Sequence, residues 1–330
     1  MPNLDHPELK FALDAVRQAA LLVRQVQTEL ASQTLTKGDR SPVTVADFAS
    51  QALVAKLLAE AFPADALVAE EDARTLRSAE AAEILQKVTR YVRHSLPQAA
   101  PEQVCDWIDR GGAQAGPRYW TLDPIDGTKG FLRGDQYAVA LALVVEGQVQ
   151  LGVLGCPNLT GGYLLQPGGP GSLVAAWRGE GTWVTSLEEP GEFRQLHVSA
   201  RGDPRQMRVM RSYESGHTNV SQIDQMVWSL GVEAEPVRMD SQAKYAVLAA
   251  GEGDLIVRLL SAEKPDYREK IWDQAAGSLV VSEAGGRITD LDGRELDFSQ
   301  GRSLQNNRGV VASNGHLHPP ALTTLQDLGA

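Results

Sequence analysis

The sequence predicts a mixed α/β protein built from two layered lobes, and three observations support this fold class. Residues 8–33 read as a long amphipathic helix, and a second helix follows at about 45–61. Short β-rich runs over 137–198, separated by tight turns, indicate an antiparallel meander. Strands and helices then alternate, which is typical of a layered α/β lobe. We therefore expect an N-terminal α+β lobe over 1–201 and a C-terminal α/β lobe over 202–330.

The first two helices follow from the spacing of apolar residues and from an end signal. In the first helix, apolar residues recur every three or four positions: Leu9, Leu13, Val16, Ala20, Val23, Val26 and Leu30. Thr44 is the expected N-cap of the second helix. This cap puts Asp47 in the first helical turn, where a carboxylate complements the helix dipole. Taken alone, Asp47 needs no other explanation.

A short apolar strand at 66–69 runs directly into three acids, Glu70, Glu71 and Asp72. Adjacent carboxylates repel one another unless a cation or solvent separates them, so a solvated loop and a cation site both remain open. The segment 73–118 is the least readable. A helix at 81–96 and a glycine-rich loop are expected there, and we assign no chemistry to it.

The C-terminal lobe is expected to alternate regularly. Strands are predicted at 207–211, 236–239, 255–260 and 310–312, and helices at 219–230, 241–250, 273–284 and the C-terminus. Asp273 opens the third of these helices, where a dipole explanation again suffices. The small residues Ala275, Ala276 and Gly277 would let this helix approach the site closely.

Composition limits the classes of partner. The 330 residues are 43% hydrophobic and 22% charged, as in an ordinary globular protein of two lobes. The net charge of −11 argues against nucleic acid or a membrane as a partner. A small anionic ligand stays possible, because a metal can reverse the field inside one pocket. Two cysteines are too few for a disulfide framework, and no leader or long apolar run is evident, so we expect a cytoplasmic protein.

The segment 120–131, Trp-Thr-Leu-Asp-Pro-Ile-Asp-Gly-Thr-Lys-Gly-Phe, concentrates reactive groups. Asp123 and Asp126 lie where an apolar strand should end and a Pro/Gly turn should begin. Their four oxygens could converge on a hard divalent cation such as Mg2+. Thr128 adds a hydroxyl and Lys129 a cation at the same place. An Asx-type turn with solvated aspartates is the alternative.

Two motifs together carry a family resemblance. The run Asp-Pro-Ile-Asp-Gly-Thr at 123–128 and the run Trp-Asp-x-Ala-Ala-Gly at 272–277, with Glu70 and Glu71 upstream, resemble the inositol monophosphatase superfamily. Members of this superfamily are magnesium-dependent, lithium-sensitive phosphatases built as a layered αβαβα sandwich. The resemblance therefore implies that fold and that chemistry.

Further segments resemble one branch, the 3′(2′),5′-bisphosphate nucleotidases, and its eukaryotic-type members in particular. These segments are 129–131, 41–49, 214–217, 239–245 with Arg258, and 269–273. Two positions depart from the family pattern. Ala69 stands where the family often has glycine, and Asp72 stands where it often has serine, which makes the expected metal site more acidic.

The resemblance also implies the site residues. It implies two to three Mg2+ ions bound by Glu70, Asp123, the Ile125 carbonyl, Asp126 and Asp273. Asp47 and Thr128 would activate water, and the substrate would contact Gly127, Thr128, His217, Ser241, Lys244 and Arg258. Simpler explanations exist for several of these. His217 could be a surface residue, Lys244 and Ser241 could only open a helix, and Arg258 could either stack on a purine or pair with phosphate.

The expected reaction is hydrolysis of the 3′-phosphate of adenosine 3′,5′-bisphosphate to AMP and phosphate by a metal-activated water. The sulfated form, 3′-phosphoadenylyl sulfate, is a further expected substrate. The alternatives are an inositol 1-phosphate or inositol 1,4-bisphosphate phosphatase, and a phosphonucleotide sensor without activity. The expected partner is thus a small phosphorylated nucleotide, and we expect the chain to be a monomer or a weak homodimer.

Overall fold

The structure is a computed structural model that describes residues 2–31, 41–213, 220–260 and 264–330. The α-helices of these residues are α1 (Pro7–Ala31), α2 (Ser41–Ala61), α3 (Ala82–Ser95), α4 (Pro101–Asp109), α5 (Thr128–Arg133), α6 (Val220–Ser229), α7 (Ala243–Ala249), α8 (Ala275–Glu283) and α9 (His318–Asp327). None of them is long and apolar enough to span a membrane.

The strands form a large sheet, a second sheet and a small ribbon. The N-terminal strands are β1 (Ala66–Ala69), β2 (Arg118–Asp126), β3 (Ala138–Val145), β4 (Gln148–Cys156), β5 (Leu159–Thr160), β6 (Leu164–Leu165), β7 (Ser172–Trp177), β8 (Gly181–Ser186) and β9 (Arg194–Leu196). The C-terminal strands are β10 (Val209–Arg211), β11 (Val237–Arg238), β12 (Leu255–Arg258), β13 (Arg287–Thr289) and β14 (Val310–Ser313).

The large sheet has the strand order β1-β2-β3-β4-β7-β8-β9. Strand β1 is parallel to β2, and every later pair is antiparallel, which confirms the predicted meander. The second sheet has the order β11-β10-β12-β14-β13 and mixes parallel with antiparallel pairs. Strands β5 and β6 form a separate ribbon, although they lie within the segment 137–198 that is predicted as one meander.

Three hydrophobic clusters show how the layers stack. Helices α1 to α4 cover one face of the large sheet, α7 and α8 fill the space between the two sheets, and α6 and α9 cover the outer face of the second sheet. This is the predicted αβαβα sandwich. The sheets divide the chain between Leu196 and Val209, and the division into lobes at residue 201 stays a prediction.

Strand β3 shows how the sequence builds the central layers. Leu141 and Leu143 point into the cluster under α1 and α2, whereas Ala140 and Ala142 point toward α8, as the two-residue period of a strand requires. The alanine face leaves room for close packing. A Cβ added at Gly152 would lie 2.7 Å from the carbonyl oxygen of Ala276, so α8 packs closely against the sheet.

Several sequence predictions about element ends were wrong. Helix α2 begins at Ser41, so Thr44 lies inside it rather than capping it, and Asp47 lies beyond the first turn. Strand β2 continues through Pro124 to Asp126 because a bulge absorbs the irregular register. Helix α8 begins at Ala275, so Asp273 lies in the preceding turn, still beside the helix N-terminus. Asp47 lies too far into α2 for the dipole explanation to hold.

Candidate active site

One cleft of about 260 Å³ gathers most of the predicted site residues. Its lining contains the four predicted metal-binding acids and six other predicted residues: Glu70, Asp123, Asp126, Asp273, Ile125, Gly127, Thr128, Ser241, Lys244 and Arg258. Asp47 is buried and outside the lining. His217 lies outside the described residues.

The parallel pairing of β1 and β2 brings the first acids together. Ala69 pairs with Leu122 across the two strands, so Glu70 and Asp123 follow at the same level of the sheet. Ser50 of α2 donates a hydrogen bond to the Pro124 carbonyl at 3.1 Å and fixes the end of β2 against the helix layer. The first half of the acid cluster is therefore set by backbone pairing.

Gln242 joins the remaining acids to this sheet. Its backbone N–H donates to Oδ2 of Asp126 at 2.7 Å. Its buried side-chain amide donates to the Trp272 carbonyl at 2.9 Å and accepts from the Gly277 N–H at 3.1 Å. Since Asp273 directly follows Trp272, one glutamine fixes Asp126 relative to Asp273. Sequence reasoning quoted Gln242 within a motif but gave it no role.

The carboxyl groups of the cluster are buried close together, and this raises their pKa values. Burial first, and then the charges of Glu70, Asp126 and Asp273, raise the pKa of Asp123 well above its usual range. Desolvation within the cleft and the neighbouring Glu71 raise the pKa of Glu70 to about 7, although its side chain keeps contact with solvent. A cation among these groups would stabilise their ionised forms.

Asp47 extends the cluster into the protein. Its side chain is 7% exposed, and burial, followed by the charges of Glu71 and Glu70, raises its pKa well above the usual value. Within the described residues its Oδ1 accepts no hydrogen bond. Thr128, the first residue of α5, is exposed, and its predicted pairing with Asp47 stays a prediction.

The opposite side of the cleft carries cations. Lys244 is buried, donates from Nζ to the Ser212 hydroxyl at 2.8 Å, and has a pKa lowered to about 8 by burial and by the charge of Arg258. The Arg258 guanidinium pairs with the buried Glu269 at 2.8 Å. Gln274 in turn donates to Glu269 at 2.9 Å. Arg258 is thus fixed in place with part of its surface toward the cleft.

Gly127 and Ser241 connect the two sides. Both have left-handed backbones, with φ of 92° at Gly127 and 66° at Ser241. A Cβ added at Gly127 would lie 2.7 Å from the Cβ of Ser241, so only glycine permits this approach. Sequence reasoning missed Ser212 and Tyr267, which also line the cleft, because nothing near them in the sequence distinguishes them from surface residues.

The donor set fits a hard divalent cation. It offers carboxylate oxygens and a backbone carbonyl, which are the ligands that Mg2+ takes in proteins. In the part of the chain that the structure describes, no three acidic, histidine or cysteine side chains form a ready coordination shell. Burial and neighbouring carboxylates raise the pKa values of both Asp123 and Asp273, so a positive charge would be favoured among them.

Comparison with protein families defines the class. Residues 5–330 match the model of the inositol monophosphatase family, so the chain belongs to this family, as its motifs predicted, and is an enzyme of a phosphatase family. Two solved structures share the fold. An IMPase from Thermotoga maritima aligns with a TM-score of 0.62, at 20% identity over 98% of each chain. The inositol monophosphatase from Anabaena aligns with a TM-score of 0.61, at 21% identity over 97% of each chain.

More similar sequences bear a narrower name. A 3′(2′),5′-bisphosphate nucleotidase of Oryza sativa is 44% identical, over 97% of this chain and 94% of that protein. A protein of the same name from Schizosaccharomyces pombe is 40% identical, over 93% of this chain and 91% of that protein. The resemblance to the nucleotidase branch is therefore confirmed at the level of sequence similarity.

Proposed function

We propose that the chain hydrolyses the 3′-phosphate of adenosine 3′,5′-bisphosphate in the presence of Mg2+, giving AMP and phosphate. The observation that carries this proposal is a single cleft with acids on one side and the buried Lys244 and half-buried Arg258 on the other. A bisphosphate needs both: one phosphate reacts near metal ions, and the other is held by charge without reacting. The names of the similar sequences support the same substrate.

Five groups would hold the metal: the carboxylates of Glu70, Asp123, Asp126 and Asp273, and the Ile125 carbonyl. We keep the number of ions at two to three, as the family resemblance implies. When bound, Mg2+ would neutralise phosphate charge and lower the pKa of a water molecule. The four acids reach the cleft from three separate parts of the chain.

The proton of the attacking water would pass to Thr128 and Asp47. A hydroxyl at the start of α5 is open to the cleft, and a buried carboxylate whose pKa is raised is a good proton acceptor. We propose that the Thr128 Oγ1 accepts the water proton as its own hydroxyl proton passes to the Asp47 carboxylate, which also orients this hydroxyl. Water attacks the phosphorus directly, without a protein nucleophile.

The second phosphate would be held by Lys244 and Ser241, with Arg258 contributing charge. Lys244 Nζ already donates to a hydroxyl at 2.8 Å, and an incoming phosphate oxygen can take another of its three donors. The Glu269 pair aims the Arg258 fork toward the cleft, so we propose that Arg258 meets the nucleotide as well. We assign His217 to the nucleotide only from the resemblance.

The sulfated nucleotide, 3′-phosphoadenylyl sulfate, keeps a negative group at the 5′ side, so we propose it as a second substrate. For a partner this small, no second subunit is required, and a monomer or weak homodimer stays our prediction, as does a cytoplasmic location. The lithium sensitivity implied by the resemblance also stays a prediction.

A substrate panel tests the proposal. With Mg2+ present, we expect kcat/KM for adenosine 3′,5′-bisphosphate to exceed that for inositol 1-phosphate and inositol 1,4-bisphosphate by roughly a hundredfold. Lys244 and Arg258 are placed for the second phosphate of the nucleotide, which inositol 1-phosphate lacks and inositol 1,4-bisphosphate carries on a different scaffold. Faster turnover of an inositol phosphate would instead make the chain an inositol phosphatase. Chromatography of the product must give 5′-AMP; release of 3′-AMP would show that the two phosphates are held the other way round.

Metal dependence needs its own control. EDTA should abolish phosphate release, and added Mg2+ should restore it. Undiminished activity after chelation, in protein shown by elemental analysis to lack divalent metal, would contradict the metal site.

A further inference from the structure

Arg302 lies beside the acidic half of the cleft without lining it. It comes from the segment between β13 and β14, far along the chain from β1 and from α4. Its guanidinium nevertheless contacts the backbone of Ala69, which precedes Glu70, and the side-chain ring of Trp272, which precedes Asp273. The motif analysis gave this arginine no function.

The first set of contacts fixes the end of β1. Nη2 of Arg302 donates to the Ala69 carbonyl, and Nη1 donates to the Gly111 carbonyl at 3.0 Å. The Ala69 N–H donates to the same Gly111 carbonyl at 2.9 Å. Both the N–H and the carbonyl of Ala69, the last residue of β1, are therefore hydrogen-bonded, and the next residue is Glu70.

The second set of contacts fixes the turn before α8. The Arg302 guanidinium lies 4.7 Å from the centre of the Trp272 ring, a cation–π distance. The Ile271 N–H donates to the Arg302 carbonyl at 3.2 Å, and the Leu304 N–H donates to the Glu269 carbonyl at 2.9 Å. The backbone of Arg302 and Leu304 therefore holds the turn that presents Asp273.

The chemistry of these contacts requires arginine. A planar fork can reach two carbonyl oxygens and still stack on an indole, whereas the lysine ammonium is a single point charge. Hydrogen bonds from a charged donor are stronger than neutral ones. The charges of Asp72 and Glu70 favour the charged guanidinium, although burial lowers its pKa. Arg302 is thus a charged, half-buried link between two segments.

We propose that Arg302 is a positioning residue that sets the distance between Glu70 and Asp273 and thereby the affinity of the acid cluster for a divalent cation. Glu70 follows β1 of the large sheet, and Asp273 precedes the helix between the sheets, so backbone pairing within one sheet does not relate them. The proposal rests on the metal site of the proposed function. It adds to that site a residue that acts on two acids through their neighbours.

The test is a titration of the full chain with Mg2+ alone. At each Mg2+ concentration, the thermal unfolding midpoint, Tm, is measured by far-UV circular dichroism. A ligand that binds only the folded state stabilises it by RT ln(1 + [L]/Kd), so Tm keeps rising with Mg2+ and the fitted Kd is the half-saturating Mg2+ concentration. The titration therefore reports metal binding without substrate. Loss of a residue that orients metal ligands commonly weakens metal affinity by about 10- to 100-fold. We expect Arg302→Met to raise the half-saturating Mg2+ concentration by that factor, and Arg302→Lys to raise it less.

Arg308→Met is the matched control. Nη2 of Arg308 donates to the Ala330 carbonyl at 2.9 Å, and Arg308 is outside the lining of the cleft. This variant therefore removes a bond of the same type that does not touch the acid cluster. We expect a lower Tm at every Mg2+ concentration and a half-saturating concentration equal to that of the wild type.

The outcomes separate the two proposals. Arg302→Met could lower Tm and still have the half-saturating Mg2+ concentration of the wild type. Arg302 would then only stabilise the fold, and the positioning role would be overturned. If Arg302→Met does not fold, Arg302→Lys decides, and a midpoint within about twofold of the wild type overturns the role. If the wild type itself shows no Mg2+ response, the metal site of the proposed function fails, and the Arg302 proposal falls with it.

Discussion

The two sides of the cleft are built in different ways. The acidic side follows strand pairing: Glu70 and Asp123 lie at the same level of two paired strands. The cationic side follows side-chain pairing: Lys244 contacts Ser212, and Arg258 is held by Glu269. Glu70 and Asp123 are therefore positioned by backbone pairing, and the cations by side-chain partners that substitution can change separately.

This difference suggests how reaction and selectivity divide. A change on the acidic side alters groups that every phosphate ester would need. A change on the cationic side alters only the charge available to a second phosphate. We therefore expect variants of the acids to lose turnover of all substrates, and variants of the cations to lose the preference among substrates.

The largest effect should come from Asp126→Asn. The amide keeps the shape of the side chain and can still accept from the Gln242 N–H, now at 2.7 Å from Oδ2, but it removes a charged ligand. We expect kcat to fall by roughly a thousandfold or more for both nucleotide and inositol substrates, as happens when an electrostatic catalytic group is lost. Stopped phosphate-release assays measure this.

The control for this variant is Asp106→Asn, which removes a carboxylate that is 70% exposed at the surface. It should keep wild-type kcat. Near-normal turnover in Asp126→Asn would contradict the metal role and would place this acid with the structural residues.

Lys244→Met should produce the next largest effect and should depend on the substrate. Methionine keeps much of the buried stem and removes the charge. Because a charged hydrogen bond contributes about 1.5–3 kcal/mol, we expect KM for adenosine 3′,5′-bisphosphate to rise by about 10- to 100-fold. KM for inositol 1-phosphate, which has no second phosphate, should change less than about threefold. Equal losses would show that Lys244 is structural.

The pH dependence of binding should sharpen the same contrast. The pKa of Lys244 is lowered to about 8, so its charge is present below pH 8 and is lost as the pH rises through that value. KM for the bisphosphate should therefore be flat up to about pH 7.5 and rise toward tenfold per pH unit above pH 8. Initial rates with inositol 1-phosphate, and with Lys244→Met, should lack this rise. A rise that persists in Lys244→Met would assign it to another group.

The sequence predicts the fold and the candidate site to different extents. The mixed α/β class and the meander followed from periodicity, because buried helices and strands leave regular apolar patterns. The αβαβα sandwich followed from the family resemblance of the two motifs. Ends of elements did not. Helix α2 begins before the predicted cap Thr44, and β2 passes through Pro124, since tertiary packing and a bulge override local end signals.

The site was readable where an acid lies inside a motif, and unreadable where a residue acts through distant partners. Asp123 and Asp273 could be named from their motifs. Arg302 contacts Ala69 from 233 positions away in the chain, and Ser212 contacts Lys244 from 32 positions away. No local pattern encodes such pairs, because they exist only once the sheets have packed together.

We expect the smallest effect from alanine substitutions at two glycines that share a left-handed backbone conformation but have different surroundings. Gly127 and Gly134 have φ of 92° and 76°, but an added Cβ meets the Ser241 Cβ at 2.7 Å in the first case and nothing within 4 Å in the second. Each alanine should cost about 1 kcal/mol or slightly more in backbone strain. Urea unfolding measures this cost. Only Gly127→Ala should also push Ser241 away from the cleft, so we expect its KM for the bisphosphate to rise about three- to tenfold while Gly134→Ala keeps the wild-type KM. Equal KM values in the two variants would show that the contact between the acidic and cationic sides does not govern substrate binding.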